Sequence, residues 1–432
     1  MPGKRKRTAE SEGKSYKADK SLKKPRMSKA LTMCELKKAV LANKPQKVDQ
    51  ILSQGQLRIK CLCFKIPLCN CFEDDQPAVK GRCIKCGTTE MCSQCSSCSN
   101  DPELPSLLFL AAEKGHTQVV KVLVKHGFNI RSMNSDFESP IFSAVRGGHL
   151  DTVKWFAEHG AELEEPNAGY LTIIWYAVQE STVPILQYLL QRGCSIDHFS
   201  KYEDTTAMFR ACEQYPYNDE NLRETRDFVR IRNTAVLAIQ HSQNLQVLEE
   251  TSLLHQMIDC RKLKLAAVLV IEGADVNFKG EMDEIPFWME FEEDFNEENC
   301  LEGMEYSPFF TVLASHQIVS MKHWKSLMHM MYAAGASLDE RYRTFVDQSV
   351  DEQVVILLED VTSAIPDIIK AEKEVKSLKW QCRLAVREKL GETCERMTLQ
   401  VRPMKIPKSL KDYLLLKEYV WWQWNDSFMF QY

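Results

Sequence analysis

Four short stretches repeat one pattern: S-L-L-F-L-A-A at 106–112, S-P-I-F-S-A-V at 139–145, T-I-I-W-Y-A-V at 172–178 and T-A-M-F-R-A-C at 206–212. Their first residues are 33, 33 and 34 positions apart, and the alanine in the sixth position keeps one register. Self-similarity at a fixed period is typical of repeat proteins, in which each unit buries its apolar face by stacking on its neighbours. The chain is therefore predicted to contain a solenoid.

A glycine follows the shared alanine at the distance expected for two short helices. It comes 16 residues later in three copies, and two later glycines fill the same place: Gly127, Gly160, Gly193, Gly273 and Gly335. Glycine is the usual residue in the left-handed conformation that ends a helix. Each repeat is therefore predicted to be a helix pair, and the fold class is all-α.

Copies of the pattern outside this run predict insertions between repeats. Ala39, in L-K-K-A-V-L-A-N-K-P at 36–45, lies 72 residues before Ala111, so 30–56 is predicted as the N-terminal repeat. Looser copies begin at Ser252 and Ser307, after steps of 46 and 55 residues. Because inserted residues in solenoids map to loops, three insertions are expected within residues 30–340.

The first insertion, 57–100, is predicted to bind zinc. It contains no histidine, and nine of the chain's 16 cysteines lie in it: Cys61, Cys63, Cys69, Cys71, Cys83, Cys86, Cys92, Cys95 and Cys98. The polar N-terminus lacks a secretion signal, so disulfides are not expected, whereas closely spaced thiolates chelate Zn²⁺. Two structural Cys₄ sites with one spare cysteine are predicted, with the pairing open. The alternative is that these are small buried residues.

A second distinctive stretch, S-L-K-W-Q-C-R-L-A-V-R-E-K-L, occupies residues 377–390. Leu378, Cys382, Val386 and Leu390 follow one another at steps of four. This spacing places one apolar stripe on an otherwise basic helix. Helix-in-groove recognition uses such anchors, because one helix face must fill a hydrophobic cleft. The stretch is therefore a candidate partner-binding helix.

The two patterns resemble known modules. The repeats resemble the ankyrin signature T-P-L-H-x-A, with an aromatic residue usually in place of histidine, and 377–386 resembles the first helix of a SOCS box. The residues that match that helix are Ser377, Leu378, Cys382 and Val386. Downstream, I-P-K-S-L-K-D-Y-L is similar to the cullin-contacting part of the box through Ile406, Pro407, Leu410, Tyr413 and Leu414. Met404-Lys405 stands where a Leu-Pro pair is usual.

The chain is thus similar to the ankyrin-repeat and SOCS-box family. The resemblance implies a non-catalytic substrate receptor that binds Elongin C, with Elongin B, and a cullin with its RING subunit. The ankyrin array would hold an unidentified target protein, and catalysis would be by proximity alone. The alternative is that 377–414 only caps the last repeat.

The predicted layout has an inserted zinc module inside an ankyrin solenoid and a C-terminal helical SOCS box. Its segments are a disordered basic tail (1–29), the N-terminal repeat (30–56), the zinc insert (57–100), further repeats (101–340), a capping segment (341–376), the SOCS box (377–416) and an aromatic tail (417–432). The basic tail has the form of a bipartite nuclear-import signal, or is simply solvated. The residues of this candidate signal are Lys4, Arg5, Lys6, Arg7, Lys23, Lys24 and Arg26.

Other functional classes find little support in the sequence. Phosphate-binding glycine motifs, H-E-x-x-H and nucleophile elbows do not occur, so no catalytic residue is predicted. The chain has no apolar run of eighteen residues, which predicts a cytoplasmic or nuclear protein without a membrane span. The rival hypothesis is a nuclear ankyrin and zinc-finger scaffold that contacts nucleic acid or chromatin, although the insert has few basic residues for that role.

Overall fold

The computed structural model of the 432-residue chain describes ten stretches: 29–54, 103–134, 136–201, 203–217, 224–245, 252–278, 307–314, 323–337, 377–391 and 396–420. The nine cysteines of the predicted zinc module and the seven basic residues of the predicted import signal lie outside them. The predicted capping segment, 341–376, also lies outside.

Seven helix pairs form what we call the array: α1 (Lys29–Leu41) and α2 (Pro45–Ser53), α3 (Glu103–Glu113) and α4 (Thr117–Lys125), α5 (Pro140–Arg146) and α6 (Leu150–Glu158), α7 (Ile173–Gln179) and α8 (Val183–Gln191), α9 (Ala207–Gln214) and α10 (Arg226–His241), α11 (Leu253–Asp259) and α12 (Leu263–Ile271), α13 (Pro308–Ala314) and α14 (Trp324–Ala334). The C-terminal unit contains α15 (Leu378–Gly391), α16 (Met397–Val401), α17 (Lys408–Leu414) and a 3₁₀ turn (Lys417–Tyr419).

The helix pairs of the array stack in two rows. From α1 to α9 each first helix contacts the next first helix, and from α2 to α12 each second helix contacts the next second helix. The alanines that define the repeat are fully buried between the rows: Ala111, Ala144, Ala177 and Ala211. A side chain this small lets neighbouring helices approach closely. The predicted helical repeat is therefore confirmed over the described residues.

Donors from one pair cap the first helix of the preceding pair. A ring nitrogen of His116 lies 2.8 Å from the Val40 carbonyl oxygen. Likewise, Nε2 of His149 lies 2.9 Å from the Glu113 carbonyl oxygen. These carbonyls lie at helix C-termini, where the last four have no partner within the helix and the dipole is negative. The contacts therefore join successive repeats as well as completing each helix.

Two features depart from a uniform helical repeat. The 46-residue step that ends at Ser252 was predicted to contain an insertion. Part of the extra length forms α10, a helix of 16 residues. This helix begins where the Thr225 hydroxyl oxygen accepts a hydrogen bond from the Phe228 N–H at 3.2 Å, and it contains no glycine or proline. In addition, β1 (Phe199–Ser200) pairs antiparallel with β2 (Thr205–Thr206). The described residues are thus mostly helical, with one short strand pair.

The five glycines predicted to end helices all have positive φ values, from +87° at Gly160 to +111° at Gly335. A side chain is disfavoured in this left-handed region, which explains why the repeat requires glycine there. Within the described stretches, no helix combines the length and apolar character needed to cross a membrane.

Candidate functional site

Helix α15 exposes the first three residues of its apolar stripe, whereas the fourth, Leu390, is partly buried against the core. Leu378 is 75% exposed, and Cys382 and Val386 are also exposed, although their four-residue spacing is that of a buried stripe. The buried positions of the same helix are Arg383 and Arg387. This arrangement is the reverse of an ordinary surface helix, which buries its apolar face and exposes its charges.

Arg387 is an anchor between the C-terminal unit and the array. Its side chain is only 6% exposed, and Nη2 donates to the Val270 carbonyl oxygen at 2.6 Å. Nη1 donates to the Leu414 carbonyl oxygen at 2.8 Å. Burial lowers the pKa of the Arg387 guanidinium to about 10, so the group keeps its charge at neutral pH. Because Val270 lies at the C-terminus of α12, the negative helix end also favours this cation.

Arg383 fixes the other end of the buried face. Its guanidinium lies 3.5 Å from the centre of the Tyr413 ring, and Nη2 makes an ion pair with Glu418. A guanidinium stacked on an aromatic ring gains both cation–π attraction and packing contact. Arg383 therefore holds α15 against α17 and the 3₁₀ turn.

A buried carboxylate makes a further contact between the two parts. The Thr398 N–H donates to Glu272 at 3.0 Å, and the Thr398 hydroxyl donates to the same carboxylate at 2.6 Å. Gln240 Nε2 donates to it at 3.0 Å. Burial raises the pKa of Glu272, and these donors oppose that shift. The contact ties α16 to α10 and α12 of the array.

The predicted Elongin-binding residues are thus close together on one helix. Leu378, Cys382 and Val386 lie on its solvent face. The Ser377 hydroxyl oxygen accepts a hydrogen bond from the Trp380 N–H at 3.2 Å, so Ser377 caps the helix at its start.

The predicted cullin-binding residues divide into two groups. Pro407 and Leu410 are exposed and Ile406 is partly exposed. Tyr413 and Leu414 are buried, the first beneath Arg383 and the second against the array core. The structure therefore leaves the first three accessible to a partner and gives the last two an internal packing role.

Sequence reasoning missed the buried arginines. Arg383 and Arg387 are four residues apart and each follows a stripe position by one residue, which is a signal visible in the sequence. This spacing did not lead to a prediction of burial, because arginine is expected on the surface unless a specific partner is known. Here the partners come from segments distant in the chain.

No metal centre is formed by the described residues, since none of their His, Cys, Asp and Glu side chains form a group of three or more that could hold an ion. Two of the cysteines in these stretches are buried thiols. Burial raises the pKa of Cys212 to about 12 and that of Cys194 to about 11, so both are protonated at neutral pH. A protonated buried thiol is a poor nucleophile and metal ligand.

Comparison with known families identifies both parts. Residues 81–167 match the family model of ankyrin repeats in three copies, and residues 374–415 match that of the SOCS box. The chain carries ankyrin repeats and a SOCS box. Together the two matches span less than a third of the 432 residues. Ankyrin repeats and SOCS boxes are adaptor modules.

No curated protein matches the chain. Solved structures that match include a chain of the complex between a predatory endopeptidase of Bdellovibrio bacteriovorus and an immunity protein. That chain is 17% identical, with a TM-score of 0.35. The alignment covers 52% of this chain and 96% of that one.

Proposed function

We propose that this protein is the substrate-recognition subunit of an Elongin-cullin-RING ubiquitin ligase. The SOCS box would recruit Elongin C, Elongin B and a cullin with its RING subunit, and the array would bind the target. The observation that carries the proposal is the outward-facing apolar stripe of α15. Leu378, Cys382 and Val386 are exposed, so they do not stabilise the isolated chain by burial. A stripe of this kind fits a hydrophobic groove on a partner.

The buried arginines explain how the stripe stays available. An isolated amphipathic helix lowers its free energy by packing its apolar face on the nearest core. Arg383 and Arg387 prevent this rotation, because turning the helix would leave their charges and the carbonyls they contact without partners. Burial of a leucine side chain contributes about 1.5–3 kcal/mol, so the three stripe residues can supply much of the affinity for Elongin C.

The mechanism is one of proximity. The chain would contribute no catalytic residue and would raise the effective concentration of target lysines near the ubiquitin carried by the ligase. The contacts of Arg387 with Val270 and of Thr398 with Glu272 fix the direction of the SOCS box relative to the array, and so relative to the target that the array would hold. A fixed direction limits which target lysines come within reach.

The test is co-expression of the full chain with Elongin B and Elongin C. We expect the wild-type chain to purify as a stoichiometric complex, and a Leu378→Ala, Cys382→Ala variant to lose it. Glu388→Ala is the matched control, because Glu388 is exposed on the same helix but lies off the stripe. A Pro407→Ala, Leu410→Ala variant is expected to keep Elongin binding and to lose the cullin.

If the folded wild-type chain does not bind Elongin B and C, the proposal fails. Residues 377–414 would then act as a cap on the array, and the rival function, a nuclear scaffold that contacts nucleic acid, would take first place. That rival predicts a salt-dependent affinity for nucleic acid that is lost when the basic residues at 4–7 and 23–26 are replaced. Nuclear accumulation of a fluorescent fusion that depends on the same residues would test the import signal.

We also propose that the cysteine-rich insert binds two structural Zn²⁺ ions. The support is the donor set itself, since four closely spaced cysteine pairs and one spare cysteine, without a histidine, suit two closed tetrahedral sites. Metal analysis of the purified chain should find about two zinc ions per molecule. A Cys83→Ser, Cys86→Ser variant should lose zinc, whereas Cys34→Ser, outside the insert, should retain it. A wild-type chain without zinc would refute the proposal.

A further inference from the structure

Three neighbouring loops of the array each expose an aromatic side chain. Phe137 is 44% exposed, Tyr170 is 39% exposed and Phe199 is 48% exposed. Each belongs to a hairpin that connects one helix pair to the next. We call these the first, second and third hairpins and together the hairpin edge: residues 129–139, 162–172 and 195–206.

The first two hairpins hold their aromatic residue in a strained conformation. Phe137 and Tyr170 both have φ near +57°, in the left-handed region that bulky residues rarely adopt. The Asn134 side-chain oxygen accepts hydrogen bonds from the backbone N–H groups on either side of Phe137, and Asn167 does the same around Tyr170. The same device thus recurs 33 residues apart and presents an aromatic ring each time.

Hydrogen bonds join the three hairpins into one surface. The Ala168 N–H donates to the Asp136 carbonyl oxygen at 2.9 Å, which links the first hairpin to the second. The Ser200 hydroxyl donates to the Gly169 carbonyl oxygen at 3.1 Å, which links the second to the third. Packed helices lie about 8–10 Å apart, and we expect the hairpins between them to have a similar spacing. An extended peptide covers that distance with about three residues.

The hairpin edge is strongly acidic. Its three segments contain eight Asp or Glu residues but only two Lys or Arg residues. Arg131 pairs with Glu162 at 2.8 Å, and Glu138 is neutralised by Arg146 from α5 at 2.6 Å. Apart from these pairs and Asp136, the three segments contain five further carboxylates and one further basic residue, Lys201.

Cations contact aromatic rings both within the hairpin edge and beside it. The Lys201 ammonium lies 5.9 Å from the centre of the Tyr170 ring, and the Arg146 guanidinium lies 5.1 Å from that of Tyr176. A cation over an aromatic face is attracted by the ring quadrupole. Exposed rings bordered by carboxylates therefore suit side chains that combine an alkyl stem with a positive charge.

The hairpin edge also contains a cavity of 160 Å³ between the second and third hairpins. Its walls include the apolar side chains of Leu163 and Ile174 and the polar groups of Glu164 and His198. This volume exceeds that of a water molecule, about 30 Å³, several-fold. A carboxylate beside apolar walls suits the end of a long basic side chain.

We propose that the hairpin edge docks an extended basic segment of the target protein, whose Lys or Arg side chains lie on Phe137, Tyr170 and Phe199. The proposal deepens the proposed function by assigning a class of target, and the acidic edge would repel the phosphates of nucleic acid. Aromatic residues dominate the energy of protein interfaces, while complementary charge sets specificity and association rate.

The experiment measures the binding of fluorescently labelled peptides to the full chain by fluorescence anisotropy. The test peptide is a Gly-Ser sequence with arginine at every third position, and the matched control peptide has glutamate at those positions. We expect saturable, salt-sensitive binding of the arginine peptide and none of the glutamate peptide. A Phe137→Ala, Tyr170→Ala variant should bind at least about tenfold more weakly. A Glu203→Gln, Asp204→Asn variant should bind more weakly and with a smaller dependence on salt.

Tyr217→Ala is the matched control. Tyr217 is exposed, but it lies against Lys262, which caps the end of α9 farthest from the third hairpin. This variant should bind like the wild type. Absence of arginine-peptide binding, or an equal loss in Tyr217→Ala, would overturn the proposal.

The Leu378→Ala, Cys382→Ala variant should bind the arginine peptide with unchanged affinity. A wild-type chain that binds the arginine peptide but does not bind Elongin B and C would refute the ligase function and leave the docking surface standing. If the wild-type chain binds Elongin B and C but does not bind the arginine peptide, only the docking surface is refuted.

Discussion

Helices α12 and α15 are neighbours with opposite patterns of burial. In α12 every residue except Lys264 is buried, and the buried side chains are apolar. In α15 the buried side chains are Arg383 and Arg387, while Leu378 is mostly exposed. The Arg387 guanidinium connects the two helices through the carbonyl groups at the end of α12.

This difference separates stability from function. An apolar helix that is buried all round forms the core of its domain. Buried charge and exposed apolar surface are the uncommon features that point to a specific role. The contrast teaches that α12 holds the fold together, whereas α15 is held in a position that leaves it open to a partner.

The sharpest test of this contrast compares two leucines. Leu269→Ala in α12 should lower the free energy of unfolding by about 2–5 kcal/mol, because it leaves a cavity in a packed core. Leu378→Ala in α15 should change it by less than about 0.5 kcal/mol. Urea denaturation of both variants measures the difference. Equal losses would mean that α15 also packs through its apolar face.

A second test removes the link between the helices. Arg387→Met should lower the free energy of unfolding by about 1–3 kcal/mol, since it leaves buried carbonyl groups without a donor. Thermal unfolding measures the loss, and Glu388→Met, on the exposed side of the same helix, is the control. Limited proteolysis should release the C-terminal unit first in Arg387→Met. A stable variant would show that the guanidinium is dispensable for docking.

A third, smaller effect concerns polar burial within the array. The Tyr176 hydroxyl donates to the buried Glu138 at 3.0 Å and accepts from Asn167 at 3.0 Å. Tyr176→Phe should cost about 0.5–1.5 kcal/mol of unfolding free energy, the usual contribution of such hydrogen bonds. Chemical denaturation measures it. No loss would mean that the Arg146 pair alone satisfies Glu138.

The smallest effect is a dependence on pH where the array meets the C-terminal unit. Burial lowers the pKa of His241, at the end of α10, and the charge of Arg402 lowers it further. The folded state then favours the neutral imidazole, so its stability is fully present above the unfolded pKa of about 6.5 and falls as pH drops below it. The urea midpoint should therefore fall less between pH 7.5 and 5.5 in His241→Gln than in the wild type. Identical curves would contradict this assignment.

Much of the array was predictable because its signals are local. The 33-residue period fixed the helix pairs, and glycines such as Gly127 were expected to end helices from their spacing alone. The length of α10 was not predicted, since the repeat pattern favoured an insertion where the chain extends a helix from Arg226 to His241. The spacing signalled extra residues but did not determine their conformation.

The site was predictable only in part. The stripe of α15 was visible from the four-residue spacing of Leu378, Cys382 and Val386. The packing roles of Tyr413 and Leu414 were not, because each depends on α15 lying across them. The aromatic residues of the hairpin edge also passed unnoticed, since single aromatic residues in loops have no periodic signature.

The sequence by itself determined the repeat, the helices and the stripe, because each depends on residues within one or two turns or one period of each other. Only the tertiary structure decided which face of α15 meets solvent. The same stripe would look identical in sequence if it were buried. Its exposure follows from contacts between Arg387 and Val270 and between Thr398 and Glu272, pairs separated by 117 and 126 residues. Hydrogen bonds to buried charges at such separations form only when the chain has folded.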